Sequence, residues 1–183
     1  MERFRFSLTD VEKNALKELV WRRIMDRLDG RERPIPEPAT DTLREPYGAF
    51  VTLKRHDHLR GCIGHIVADR PVWLNVADMA LAAAFDDPRF PPLTRAELDG
   101  LVVEITVLSP LAPCPDPELI EVGRHGLYIR QGMHSGLLLP QVPVEWGWDR
   151  RTFLRQTCRK AGLSEDAWRD PGTNIYWFEG AVF

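Results

Sequence analysis

From Thr9 to Gly30 the apolar residues Val11, Ala15, Leu16, Leu19, Val20, Ile24 and Leu28 recur three and four positions apart. Thr9 followed by Glu12 has the form of a capping box, so this stretch predicts a first helix that ends at Gly30. Residues 31–46 break the periodicity with four prolines and predict an extended connector over the surface. A connector that long is expected to have a use, here as a wall beside a cleft. Two β-rich runs follow, at 48–54 and 59–67, joined by the polar Arg55, His56, Asp57 and His58, which predicts a hairpin.

Asp69 is expected to cap a second helix with Pro71 in its first turn. Its buried stripe would be Leu74, Ala77, Leu81, Ala84 and Phe85, and Asp86-Asp87-Pro88 would stop it. Thr94 with Glu97 suggests a shorter helix. LVVEITVLSP, residues 101–110, reads as a central strand interrupted by Glu104, Thr106 and Ser109. GLYIRQG and GLLLPQVPVE read as two more short strands. A last helix runs from Asp149 to Gly162 with Phe153, Leu154, Cys158 and Ala161 inward and Arg151, Arg155 and Arg159 outward. NIYWFEGAVF closes the chain as a strand, and the order of elements gives an α+β domain.

Composition narrows the partners. With 183 residues and 44% apolar content the chain fills one core, so residues 1–183 are expected to form a single domain. A net charge of -3 and a pI near 6.0 supply no field that would hold a nucleic acid or an anionic membrane by charge. The many arginines are spread along the whole length, with no basic stripe. Cys62, Cys114 and Cys158 are odd in number and lack CxxC spacing, which argues against a disulfide framework or zinc ribbon and for a reduced, cytoplasmic compartment. No apolar run has the length of a signal peptide or a membrane span.

The candidate chemistry centres on LRGCIG, residues 59–64. In a regular strand Arg60 and Cys62 share a face, and a guanidinium beside a thiol favours the thiolate. Gly61 and Gly64 mark a bulge or a place where a ligand or another backbone comes close. The competing reading makes Cys62 a small buried hydrophobe and the glycines a relief of crowding. His125, on a glycine-bounded turn with Arg124, is the histidine best placed to act as a base. Glu104, in an otherwise apolar strand, must be paired, protonated or facing a cavity, with Arg60 or Arg124 as the expected partner. Glu145 beside Trp146 and Trp148 could close an aromatic-walled recess for a flat or cationic ligand. His56 and His58 at the hairpin tip lack a third ligand, so no metal is assigned and no cofactor is named. No phosphate loop, G-x-S-x-G elbow, H-E-x-x-H or dinucleotide fingerprint is present.

Taken together, GAFVTLKRHDHLRGCIG, DDPRFPPLTRAEL, VEITVLSPL, GRHGLYI, GLLLPQV and FLRQTCRKAGL resemble the AMMECR family, whose bacterial and archaeal members are called AmmeMemoRadiSam system protein A. The resemblance runs from about residue 8 to the end, and LRGCIG is that family's signature hexapeptide. It implies an α+β fold of two unequal lobes, the larger from both chain ends and the smaller from the middle, with the hexapeptide near the cleft between them. It also implies a genetic association with a radical-SAM enzyme and a dioxygenase-like protein as partners. This chain has no CxxxCxxC run for a radical-SAM cluster. Two functions follow: a ligand-binding cleft, catalytic through Cys62 with Arg60 and with Glu104 or His125 handling protons, or a non-catalytic binding or adaptor module. A small molecule or nucleotide is the expected ligand, with Gly61, Gly64, Arg124 and Glu145 lining its site.

Overall fold

In the computed structural model residues 7–66 and 69–183 are described. They form a mixed α+β protein whose strand pairings are antiparallel, and contacts divide it into two compact units.

The first unit comprises Ser7–Leu108 with Ala181–Phe183. Its opening helix α1 spans Asp10–Leu28 and carries the expected capping box, with Thr9 and Glu12 bonded reciprocally. Leu16, Leu19, Val20 and Ile24 are buried, whereas Val11 faces solvent. The connector after α1 is tied down rather than laid loosely. The Trp73 indole donates to the Pro36 carbonyl at 2.6 Å, and Leu43 is fully buried in the short turn Asp41–Arg44.

Strands β1 (Gly48–Arg55) and β2 (His58–His65) form the hairpin. Its two-residue turn, His56-Asp57, has both φ angles positive, at 50° and 62°, the twist that matches right-handed strands. Val67, the end of the expected second run, lies outside the described residues. Helix α2 spans Val72–Leu81 and continues as a wide π turn over Ala82–Asp86. Pro71 stands at its N-cap, so Asp69 does not cap it. The buried stripe is Val72, Trp73, Val76, Ala77, Met79 and Ala80, and Leu74 is exposed. Starting the helix at Val72 turns that stripe away from the expected one. Thr94 and Glu97 bracket one 3-10 turn, Arg95–Glu97, rather than an α-helix.

Strand β3 spans Leu101–Leu108 and pairs with β1, which lies between β2 and β3. Its other edge bonds the end of the chain, with Ile105 and Phe183 exchanging N–H to carbonyl bonds of 2.9 and 3.1 Å. Helix α1 packs on α2 and β3, and α2 on β1. Ala49, Val51, Leu53, Val103, Ile105 and Val107 are the buried alternates of the sheet.

The second unit comprises residues 109–180. Strands β4 (Ala112–Pro113), β5 (His125–Gln131), β6 (His134–Leu138) and β7 (Asn174–Val182) pair in the order β4-β7-β5-β6. The last residues of β7 belong to the first unit. GLLLPQVPVE is a strand only to Leu138. Pro140 then starts a short helix α3, Gln141–Glu145, because proline has no N–H for a ladder and fits a helix start. Helix α4 spans Arg150–Lys160, capped by Asp149, and Gly162 ends it at φ 75°. Leu127, Ile129, Phe153, Leu154 and Cys158 form this unit's core. No helix of the described residues is long and apolar enough to cross a membrane.

Candidate functional site

Alternation along β1 buries Ala49, Val51 and Leu53 and turns Phe50, Thr52 and Lys54 to the open face of the first unit's sheet. Thr52 stands opposite Cys62 on one side and Glu104 on the other. The three therefore form one cross-strand row. The Thr52 hydroxyl donates to the Cys62 sulfur at 3.2 Å, and Lys54 Nζ meets Glu104 at 2.9 Å. Cys62 is half-buried. Glu104 is thus paired, with Lys54 rather than with Arg60 or Arg124.

The regular alternation expected through LRGCIG fails at Arg60. Leu53 pairs with Gly61 and Lys54 with Leu59, so Arg60 is the extra residue of a β-bulge. Its side chain turns into the protein and is only 8% exposed. Nε and Nη2 donate to Glu97 at 2.7 and 3.2 Å, and Nη2 also donates to the Pro91 carbonyl at 2.8 Å. The Arg60 hydrogen bonds hold the Glu97 carboxyl down at about 2, burial opposing and the Thr94 N–H and hydroxyl assisting. Arg60 is locked in this pair and is not the cation beside the thiol.

That cation is Arg89, which the sequence reading missed. Its Nη2 donates to the Cys62 carbonyl at 3.0 Å. Its guanidinium also engages Asp87, at 3.0 Å from Nε and 2.7 Å from Nη2. Asp87, buried, accepts the Cys62 backbone N–H at 2.9 Å. Asp87 and Arg89 together satisfy the outward N–H and C=O of Cys62 as a neighbouring strand would. Arg89 holds Asp87 far below the usual carboxylate range, burial opposing and the Cys62 N–H assisting. Asp87 in turn raises Arg89, burial opposes, and the Cys62 thiol adds to the rise. Arg89 remains 53% exposed. The available signal was the DDPR sequence just after a helix, which reads locally only as a stop.

Both glycines of the hexapeptide are filled by the protein itself. A Cβ on Gly61 would lie 2.0 Å from the Ala83 carbonyl oxygen of the π turn, and one on Gly64 would lie 2.4 Å from the Phe50 ring. The close approach expected at Gly61 is made by backbone, and the one at Gly64 by an aromatic face.

His125, Arg124 and Glu145 belong to the second unit. His125 is buried at the start of β5, its Nδ1 accepts the Glu121 N–H at 3.0 Å, and its ring lies 4.5 Å from that of Trp177. Arg124 donates to Glu179 at 2.7 Å and to Glu121 at 3.0 Å. Glu145 ends α3 on the surface beside Trp146, which is 70% exposed and stacks on Trp148 at 6.2 Å. His56 and His58 are exposed at the hairpin tip, and no group of three possible metal-ligating side chains occurs among the described residues. The first unit thus gathers Cys62, Thr52, Glu104, Lys54 and Arg89 at one place.

A family model described as AMMECR1 matches residues 18–183. A protein of Thermococcus kodakarensis is 50% identical over 166 residues, covering 84% of this chain and 81% of that one. A protein of Nanoarchaeum equitans is 47% identical over 163 residues, covering 85% and 91%. The crystal structure of the uncharacterized protein PH0010 from Pyrococcus horikoshii superposes with a TM-score of 0.83 at 42% identity, covering 97% of this chain and 93% of that one.

Proposed function

The chain belongs to the AMMECR1 family, and from that premise we propose that the open sheet face at LRGCIG is its ligand-binding site, with Cys62 as the reactive thiol. Arg89 is the cation held at Cys62, Thr52 donates to the sulfur, and the Lys54–Glu104 pair supplies charge for ligand binding. Both units serve one AMMECR-type domain. The observation that carries this reading is the Arg89 guanidinium, anchored on buried Asp87 and bonded at Cys62.

Site-resolved alkylation of Cys62 by iodoacetamide across pH tests it. Cys62 is expected to be modified in the folded protein, faster than the other two cysteines, and more slowly in Arg89→Gln. Cys114 and Cys158 serve as internal references, since burial pushes both thiols up. A Cys62 that stays unmodified in the folded protein, or an unchanged profile in Arg89→Gln, rejects the proposal.

The packing of Gly61 and Gly64 favours a second reading, an adaptor module with Cys62 as a space-filling residue. Full function of Cys62→Ala in genetic complementation would select it. An accessory role beside a radical-SAM enzyme rests on the family resemblance, and copurification from cells is its test.

A further inference from the structure

The second unit contains a cavity of its own, about 370 Å³ in volume, at the start of α4. That is within the size of small-molecule pockets, roughly 300–1,000 Å³. Three arginines line it, Arg150, Arg151 and Arg169, with Trp168 and the carboxylates Glu118 and Asp149. Both carboxylates are already committed. Asp149 accepts the Thr152 N–H at 2.7 Å as the cap of α4. Glu118 takes Arg150, which donates to its carboxylate and, at 2.7 Å, to its carbonyl.

Among the described residues, neither Arg151 nor Arg169 has a carboxylate within ion-pair distance, and Arg151 acts on the Asp149 carboxylate from further away. Arg169 is held over the Trp168 ring, 4.7 Å from its centre, which sets the guanidinium in place by stacking. The Trp168 indole N–H is buried and has no acceptor among the described residues. The N-terminal partial charge of α4 is already met by the Asp149 carboxylate that caps it.

We propose that this cavity binds a small phosphate monoester. Arg151 and Arg169 take the phosphate oxygens, and the Trp168 ring holds Arg169 in place. Two uncommitted guanidiniums match a dianion, which a phosphate monoester becomes above a second pKa of about 6, and a carboxylate does not. The site is independent of Cys62 and does not rest on the function proposed above.

Calorimetric titration of the full chain with adenosine monophosphate, ribose 5-phosphate and adenosine tests it. Saturable binding of the two phosphates is expected, with adenosine inert, and affinity should fall as pH drops through about 6. Arg151→Met and Arg169→Met should each weaken binding roughly tenfold or more, without moving the melting temperature of the free protein or the alkylation profile of Cys62. Trp168→Phe should lose less. A tighter fit of the nucleotide than of the sugar phosphate would assign the ligand a base; equal affinities would assign it the phosphate alone. No saturable binding at millimolar concentration, equal binding of adenosine, or unchanged affinity in the double arginine variant overturns the proposal.

Discussion

Arg60 and Arg89 lie against the same ring, that of Phe90, at 5.8 and 5.6 Å, yet only Arg89 is bonded at Cys62. The difference is the bulge. One extra residue in β2 sends Arg60 inward to Glu97 and leaves Cys62 on the open face. Arg60→Met should therefore destabilise the protein by about 1–3 kcal/mol, because half-buried Glu97 loses its charged partner and keeps only the bonds from Thr94, and urea unfolding would register it. Gly61→Ala should cost on the order of 2–4 kcal/mol, since its Cβ would meet a backbone oxygen at 2.0 Å that cannot swing aside. Gly172→Ala, with nothing within 4 Å of the new Cβ, is the control. Equal melting temperatures for the two alanine variants would refute this account of the hexapeptide. At this scale the sequence placed Arg60 on the face of Cys62 and the structure turns it inward, because alternation holds only while the register does.

Elements defined by neighbouring residues were legible. The Thr9–Glu12 box places the start of α1 as read from the sequence, since both partners lie within one turn, and α4 begins after Asp149 as expected. Thr9→Ala should lower stability by about 1 kcal/mol, read as a drop in melting temperature. The hairpin was also legible, from a polar break between two β-rich runs. Its turn carries positive φ at two residues that have a Cβ, so replacing His56 and Asp57 with Asn and Gly should stabilise the protein by about 0.5–1 kcal/mol. A loss of stability would mean that these side chains hold the turn. The start of α2 was misread because Asp69 looks like a cap locally, while the chain enters the helix through Pro71. The GLLLPQVPVE run was misread because its β-rich residues outweighed the two prolines that form a helical turn.

For the molecule as a whole, acid is the predicted weakness. Arg89 holds Asp87, Arg60 holds Glu97 and Thr152 holds Asp149 below their ordinary values, with Glu97 at about 2. Depressed carboxyls mean that the unfolded chain binds more protons in acid, so stability rises with pH there. Their contribution is complete above the ordinary carboxyl range and is lost as pH falls through the folded values. Urea midpoints should drop steadily from about pH 5 to pH 3, with a shallower fall in Glu97→Gln; a flat profile would contradict the ion-pair assignments. The sequence by itself determined the class, the capping box of the first helix and the hairpin, because each depends on residues near one another along the chain. Only the tertiary structure decided what surrounds the sulfur. The bulge follows from pressing Gly61 on the Ala83 carbonyl, and Arg89 reaches Cys62 because a π turn and a buried carboxylate aim it there, long-range packing that no local pattern encodes.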